Sequence, residues 1–219
     1  MKNLIYISLL ILVLSSCKTE ISYIQLYETQ AINSSEKNNA NTYENDTLKI
    51  AYLFWADKGQ MRFSIYNKTL EPLYIDWFKS SYISNSSAKE YLKDKHRIGF
   101  IPPKSYISFN AEYPLVSSHY SKWGKDYTQK TEPRTDNPKV NTTISSKQFT
   151  KENSPWDFRN YLTFSFNENF SNQFSIDNEY YVKAISVMDV KQFWDSIPQN
   201  GNSPTTRFEK SKDFYVKVK

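Results

Sequence analysis

The fold is decided by three consecutive runs: Leu48-Lys-Ile-Ala-Tyr-Leu-Phe-Trp55, Ala56-Asp-Lys-Gly59 and Gln60-Met-Arg-Phe-Ser-Ile-Tyr66. Apolar and polar residues alternate in the first and third runs, which is the period of a β-strand with one buried face. The short polar run between them predicts a hairpin turn, with Gly59 at a positive φ. The side chains of Met61, Phe63 and Ile65 are then expected to share the buried face.

A third strand follows this hairpin directly. Asn67-Lys-Thr-Leu-Glu-Pro72 has the polar residues and the proline of a turn. Leu73-Tyr-Ile-Asp-Trp77 returns to an alternating pattern, which continues toward Ile83. Because short turns join the three strands, they are predicted to pair with their neighbours in sequence as an antiparallel sheet.

On the N-terminal side of the hairpin, Ile21-Ser-Tyr-Ile-Gln-Leu-Tyr-Glu-Thr-Gln30 predicts a first strand. Residues 31–47 are rich in Asn, Ser and Glu and predict a polar loop. If the first strand does not form, residues 18–47 become a tether of about thirty residues. Residues 17–47 are therefore assigned the lipidated cysteine, this strand and the loop or tether, and residues 48–219 are assigned the β-sandwich domain.

The middle of the chain gives weaker signals. Ser87-Ala-Lys-Glu90 has the spacing of a capping box and predicts one or two helical turns. Ile101-Pro-Pro-Lys-Ser-Tyr-Ile-Ser-Phe109 predicts a strand that is entered through two prolines. Residues 112–155 are polar and lack periodicity, so they predict a long loop. A loop of this length in a compact domain is unusual, and it is expected to be either functional or disordered.

Order returns in the last third of the chain. Residues 158–166, 179–187 and 214–218 have strand patterns, and Asp189 is placed to cap a short helix that ends near Trp194. The whole chain then has seven to nine strands and one or two short helices. This pattern predicts a mainly β protein, an antiparallel β-sandwich of immunoglobulin-like type.

Composition agrees with this fold and excludes one class of partner. Aromatic residues make up 16% of the chain and there are only four glycines, a balance that favours β-structure. The formal charge is +5, but the basic residues are scattered among 23 acids. A nucleic-acid-binding protein usually concentrates its basic residues on one face or segment, so no nucleic-acid partner is expected.

Residues 1–16 have the composition of a secretory signal peptide. Met1-Lys-Asn3 is short and positive, and residues 4–14 are mostly apolar. A helix over this apolar run spans roughly 16 Å, whereas the core of a bilayer is about 30 Å thick. The run is therefore too short for a transmembrane helix. The small residues that follow it predict cleavage before Cys17.

The cleavage site, Leu14-Ser15-Ser16-Cys17, resembles the lipobox of bacterial lipoproteins. In that family the cysteine is lipidated on its thiol and then on its new amino group, so the resemblance implies lipidation of Cys17 and a membrane anchor. Two or more acyl chains hold a protein stably at a membrane, whereas one holds it only marginally. The alternative is an ordinary signal peptide followed by an incidental cysteine.

Several stretches of the mature chain resemble lipoproteins of the Bacteroidota, namely residues 43–50, 54–59, 63–77, 101–105 and 158–164. The resemblance implies an outer-membrane location and a similar fold, and it supplies no catalytic residues. Surface-exported members often carry an acidic run after the cysteine. Here Lys18-Thr19-Glu20 has a single acid, which favours the periplasmic face of the outer membrane. Two Asp-Thr/Ser-aliphatic triplets resemble the O-glycosylation sites of such proteins and suggest modification of Thr47 and Ser196, although such triplets also arise by chance.

Cysteine and histidine chemistry is not expected. Cys17 is the only cysteine, so no internal disulfide can form, and lipidation removes its thiol as a nucleophile. His96 and His119 are the only histidines, and their separation suggests no metal site. No Gly-rich phosphate loop or nucleophile elbow is present in the sequence. We therefore predict no cofactor and no metal, and we predict that the chain is not an enzyme.

One acidic residue leaves a narrower alternative open. Asp76 lies next to Trp77 and could form half of a carboxylate pair for glycoside hydrolysis. The simpler interpretation is that Asp76 ends a strand and bonds a neighbouring backbone group or the Ser80-Ser81 hydroxyls. A carboxylate-based hydrolase is accordingly the third functional hypothesis.

Two other hypotheses rank above it. The first is a non-catalytic binding or scaffold module, held to the membrane by its lipid anchor, with a protein partner in the cell envelope. The second is a glycan-binding lipoprotein in which Trp123, Tyr127 and Trp156 stack on sugar rings, as loop aromatics can. The alternative role of these three residues is to pin the long loop to the sheet. The oligomeric state stays open.

Overall fold

The computed structural model describes residues 23–32, 41–91, 98–194 and 206–219. Within these ranges the protein is mainly β, with 58% of residues in strands and 2% in helix. The elements in chain order are β1 (Tyr23–Ala31), β2 (Thr42–Glu44), β3 (Leu48–Leu53), β4 (Gln60–Asn67), β5 (Leu73–Ser84), β6 (Ser87–Glu90), β7 (Ile98–Ile101), β8 (Tyr106–Pro114), β9 (Thr128–Pro133), β10 (Asn141–Gln148), β11 (Asp157–Ser165), β12 (Gln173–Met188), α1 (Val190–Phe193) and β13 (Phe214–Val218).

The strands form two antiparallel sheets. The large sheet has nine strands in the order β13-β1-β12-β11-β5-β6, with β10 and β9 added beside β12 and β7 added beside β5. The small sheet has four strands in the order β2-β3-β4-β8. The sheets pack in a sandwich-like arrangement, so the predicted antiparallel β-sandwich is confirmed. The described strands number thirteen rather than seven to nine, partly because β2, β6 and β7 are pieces of three or four residues.

The main core lies between the two sheets and is rich in aromatic residues. Phe54, the residue after β3, packs edge-to-face on Phe158 and Tyr180 of the large sheet, with centroids 5.2 and 5.1 Å apart. Trp77 of β5 stacks on Phe109 of β8 at 4.6 Å. Offset and edge-to-face aromatic pairs add to the free energy of apolar burial. The high aromatic content of the sequence is therefore used mostly inside the sandwich.

The predicted hairpin of β3 and β4 is confirmed, but the predicted pairing of the next strand with it is wrong. The turn after β4 leads β5 into the large sheet, and β4 pairs with β8 instead. Met61, Phe63 and Ile65 are buried on one face of β4. Gly59 has a φ of +67°, the left-handed region that favours glycine. A Cβ on Gly59 would lie 2.8 Å from Leu115 Cδ1 and 2.8 Å from Phe214 Cγ. The turn therefore needs glycine both for its backbone conformation and for close packing.

A second, smaller core covers the other face of the large sheet. Alternation along β1 places Gln25 and Tyr27 toward the main core, and Ile24 and Leu26 in this second core. Phe193 of α1 is fully buried there. As predicted, Asp189 caps this helix, because its carboxylate accepts a hydrogen bond from the backbone N–H of Gln192 at 2.8 Å.

Two predictions about the N-terminal part are decided by the strands found there. Residues 23–31 form β1, which lies between β12 and β13, so the tether alternative is wrong for these residues. The polar loop predicted for residues 31–47 contains β2 and the end of β1. The prediction of helical turns at Ser87–Glu90 is also wrong, because Asn85 and Ser86 have positive φ and close a hairpin between β5 and β6.

The prediction of one long loop over residues 112–155 is wrong. The segment contains the end of β8 and an antiparallel hairpin of β9 and β10, and β10 also pairs with β12. Within this hairpin only Ile144 is buried. A strand pair with so little apolar surface gives no hydrophobic period to detect. The irregular connection that remains before β9 covers residues 115–127.

Candidate functional site

The structure describes some of the predicted site residues. Cys17, His96 and Ser196 lie outside the described residues. Thr47 lies in the turn between β2 and β3, where its backbone N–H donates to Asn45 Oδ1 at 2.9 Å. Its side chain is half-buried, and the prediction of O-glycosylation at Thr47 stays a prediction. His119 is exposed in the connection before β9.

Two of the three predicted ligand-contact aromatics belong to a cluster around Tyr120. Trp123 and Trp156 both contact the Tyr120 ring edge-to-face, with centroids 5.6 and 6.2 Å apart. Trp156 also contacts Tyr27 of β1 at 5.6 Å. Both tryptophans are half-buried against the main core. The structure therefore brings Trp123 and Trp156 together, in the arrangement that pins the connection to the sheet.

A buried glutamine holds the backbone of this cluster. Gln25 of β1 is fully buried. Its Nε2 donates to the carbonyl oxygen of Tyr120 at 2.7 Å, and its Oε1 accepts from the backbone N–H of Tyr120 at 2.8 Å. The Tyr27 hydroxyl donates to the same Oε1 at 2.6 Å. We call this arrangement the Gln25–Tyr120 clasp. Strand alternation puts Gln25 and Tyr27 on one face of the predicted first strand, but no sequence signal indicated their distant partner.

A cation lies over the same cluster. Lys147 Nζ of β10 donates to the Trp123 carbonyl oxygen at 3.2 Å and lies 5.9 Å from the ring centroids of both Tyr120 and Phe149. Tyr127, the third predicted contact residue, is 42% exposed. The three predicted aromatics therefore do not share one environment, and Tyr127 is the one with a largely accessible ring.

Asp76 occupies a structural position inside β5. Its carboxylate is buried and accepts hydrogen bonds from the backbone N–H groups of Phe78 and Lys79, at 3.1 and 3.3 Å. The Ser80 hydroxyl donates to the Asp76 carbonyl oxygen at 2.6 Å. These bonds stabilise a bulge, where the register between β5 and β11 shifts. The interpretation of Asp76 as a backbone partner is confirmed, although the strand continues beyond it.

The centre of the sandwich contains a buried polar network. The Tyr52 hydroxyl of β3 accepts hydrogen bonds from Asn160 Nδ2 at 2.9 Å and from Asn178 Nδ2 at 2.6 Å. The Tyr91 hydroxyl donates to Asn160 Oδ1 at 2.5 Å. Burial raises the pKa of the Tyr52 hydroxyl well above its usual value, so it is neutral at physiological pH. The network joins the two sheets and offers no group that titrates near neutrality.

Two open grooves lie outside the core. One has a volume of about 630 Å³ and runs along β9 and the turn that follows it, beside Arg207. The other has a volume of about 470 Å³ and lies on the small sheet around Arg62. Among the described residues, no group of three or more His, Cys, Asp or Glu side chains is placed to hold a metal ion. In the same part of the chain, no helix is long and apolar enough to cross a membrane.

Comparison with known proteins assigns no family to the chain. No known protein family matches the chain, and neither a curated protein nor a solved structure is significantly similar to it.

Proposed function

We propose that the chain is a lipid-anchored protein of the bacterial cell envelope, held in the outer membrane through Cys17, and that its β-sandwich is a non-catalytic binding or scaffold module. One observation carries the proposal. The apolar segment and lipobox-like residues end at Cys17, and β1 begins at Tyr23, in the interior of the large sheet. An acyl group on Cys17 is then joined almost directly to the folded domain, with the periplasmic face of the membrane favoured.

The anchor is tested by Cys17→Ser. In cells fed an alkyne-bearing fatty acid, we expect the parent protein to incorporate label and to sediment with membranes. The Cys17→Ser variant should lose the label and leave the outer-membrane fraction, since thiol acylation needs the cysteine. Thr19→Ser, two residues further on, is the matched control and should behave as the parent. A Cys17→Ser protein that stays acylated and in that fraction would refute the anchor.

The binding or scaffold role is tested by chemical crosslinking in intact cells, followed by mass spectrometry. We expect one envelope protein to be recovered repeatedly with the parent chain, and to be lost when Cys17→Ser removes the protein from its membrane. Repeated experiments that recover no reproducible partner would count against a scaffold role while leaving the anchor untouched.

The glycan-binding alternative now depends on the exposed ring of Tyr127. Replacing Trp123 or Trp156 disturbs the cluster around Tyr120, so loss of binding in those variants would not identify a sugar contact. Tyr127→Ala removes the exposed ring with little effect on packing. If the parent protein binds a glycan on an array and Tyr127→Ala does not, the alternative replaces the scaffold proposal. A silent array rejects it.

A further inference from the structure

Strand register shows which elements share the end of the molecule where β1 begins. Gln25 of β1 and Ser145 of β10 pair with Val187 of β12 from its two sides. From this level, β1 runs back to Tyr23, β12 runs on into α1, and β10 runs back to the β9–β10 turn. β13 ends at the same place, because Val218 pairs with Tyr23. We call these four features together the anchor-proximal end.

The β9–β10 turn extends further in this direction than β1 does. Tyr23 lies two residues beyond the level of Val187, and Asn141 lies four residues beyond it. At about 3.4 Å per residue, Asn141 reaches about 7 Å further than Tyr23. Cys17 precedes Tyr23 by six residues, which span at most about 20 Å. A bilayer that holds Cys17 therefore lies within reach of the turn.

Two carboxylates at this end are neutralised by neighbouring cations. Glu132 of β9 forms ion pairs with Arg207 and, at 3.2 Å, with Lys130. Asp136 in the turn accepts from Arg134 at 2.9 Å, and this ion pair lowers the pKa of the Asp136 carboxyl. The hairpin is thereby fixed to the segment before β13, and these acids contribute little free negative charge.

Two further carboxylates are bound to backbone and hydroxyl groups, whereas the exposed Glu209 acts on Tyr215 of β13 without an ion pair among the described residues. Asp189 accepts from the backbone N–H of Gln192 at 2.8 Å and from the Thr142 hydroxyl at 2.9 Å. Asp57, beside β13, accepts from the backbone N–H of Lys217 at 3.1 Å. These two acids thus serve to hold the elements together.

Three lysines at the same end have no such partner. Lys139 lies in the β9–β10 turn, Lys191 lies on α1, and Lys219 follows β13. All three are exposed, and within residues 23–32, 41–91, 98–194 and 206–219 none of them forms an ion pair. Lys191 is close enough to Asp136 to contribute to the lowered pKa of that carboxyl. The three lysines still give the anchor-proximal end positive charge outside its ion pairs.

We infer that the anchor-proximal end docks on the anionic phospholipid headgroups of the membrane that holds Cys17, through Lys139, Lys191 and Lys219. The inference rests on the proposed acylation of Cys17. A basic patch beside an acyl chain is a known way to strengthen membrane attachment. Each Lys near an anionic surface increases binding about fivefold, and the attraction falls within about a Debye length. Docking would fix the orientation of the sandwich, with its opposite end directed away from the bilayer.

The test is lysine footprinting on the protein as purified from membranes. The protein is placed in vesicles of phosphatidylcholine, or of phosphatidylcholine with about a third phosphatidylglycerol, and is labelled with a water-soluble amine reagent. In the anionic vesicles we expect Lys139, Lys191 and Lys219 to react at about a third of their rate in phosphatidylcholine vesicles, or more slowly still. The matched internal controls are the exposed Lys79 and Lys104, which lie near the opposite end of β12 and should react at equal rates.

Charge reversal gives a second measurement. In a Lys139→Glu/Lys191→Glu variant, the protection of Lys219 in anionic vesicles should disappear, whereas Lys79→Glu/Lys104→Glu should leave it intact. Added salt should abolish the protection of the parent protein.

The two proposals fail in different ways. A protein without an acyl group that does not float with vesicles overturns the anchor and the docking surface together. A protein that is acylated and floats, yet shows equal labelling of all five lysines in both vesicle types, leaves the anchor standing and overturns the docking surface.

Discussion

The hairpin of β3 and β4 and the connection of residues 115–127 both cover the core with aromatic side chains, but they are held by different interactions. In the hairpin, the two strands pair with each other and each buries a regular row of apolar residues. The connection has no ladder of its own. Its Tyr120 is held by the Gln25–Tyr120 clasp, which joins residues 95 apart in sequence.

This difference predicts different consequences when either region is damaged. A core residue of the hairpin packs against strands of both sheets, so its loss should weaken the whole sandwich. Beyond Leu115 and Val116, which are buried in the main core, the connection depends on a few hydrogen bonds and on the ring cluster around Tyr120. This part should open locally while the sandwich stays folded.

The largest effect is expected from Phe54→Ala. Phe54 is fully buried and contacts Phe158 and Tyr180 edge-to-face. Removing its ring leaves a cavity between the sheets, so the free energy of unfolding should fall by about 3–5 kcal/mol. Urea denaturation measures this. Leu53→Ala, at the neighbouring exposed position, is the control and should change stability by no more than about 0.5 kcal/mol. Equal effects of the two changes would mean that the core does not depend on this ring.

The next effect compares two glycines, one in each region. Gly59 and Gly124 both have positive φ, at +67° and +59°. A Cβ at Gly59 would be 2.8 Å from Leu115 Cδ1, whereas at Gly124 the nearest atom is Lys147 Nζ at 4.0 Å. Gly59→Ala should therefore cost about 2–4 kcal/mol, from strained backbone and overpacking. Gly124→Ala should lower stability by about 1 kcal/mol, from the strained backbone alone. Similar losses in denaturant melts would show that packing around Gly59 relaxes.

The same contrast explains what the sequence could predict. The β3–β4 hairpin, its turn at Gly59 and the helix cap at Asp189 depend on residues within a few positions of one another, and all three were predictable. Their signals are the period of apolar residues and the conformational preference of particular side chains. The sandwich class followed from the number and spacing of such strands.

The remaining features depend on contacts between residues far apart in the chain. β10 is mostly polar, and it is a strand because β12 offers it an open edge. Ser87–Glu90 has a helix signal, but the turn at Asn85 and Ser86 returns it to β5. Gln25 appeared to be an ordinary strand residue. The partners of these side chains are set by topology, which local sequence does not contain.

The C-terminal segment gives a third test, through a buried charge. Asp213 is fully buried beside β1, where it accepts from the backbone N–H of Thr29 at 3.3 Å. Burial raises the pKa of the Asp213 carboxyl to about 6. Because the folded-state pKa lies above the unfolded one, this group favours folding below about pH 4 and loses that contribution as pH rises through 6.

Asp213→Asn should remove this pH dependence. At pH 7.5 the variant should be more stable than the parent by at most about 3 kcal/mol, and at pH 4 the two should be nearly equal. Melting temperature across this pH range measures the difference. Asp136→Asn is the control, and its effect on stability should have the opposite sign. An ion pair lowers the pKa of the Asp136 carboxyl, so its charge favours folding near neutrality. A pH-independent difference between the Asp213→Asn variant and the parent would contradict the assignment.

The smallest effect is expected from Gln25→Ala. This variant also tests most directly whether the hairpin and the connection are held by different interactions. The change removes both hydrogen bonds to the Tyr120 backbone, which should lower stability by about 1–2 kcal/mol. Hydrogen exchange should then show faster exchange of the amides around Tyr120 and Trp123, while amides of β4 stay protected. Gln30→Ala, on the exposed end of the same strand, should leave both sets unchanged.

Two outcomes separate the regions. If only the amides around Tyr120 and Trp123 lose protection, Gln25 holds this part of the connection to a sandwich that stays folded when it opens. This part could then vary in conformation without loss of the fold. If β4 and the connection lose protection together, the clasp belongs to the same cooperative unit as the hairpin. The distinction between a hairpin held by periodic burial and a connection held by local hydrogen bonds would then be wrong.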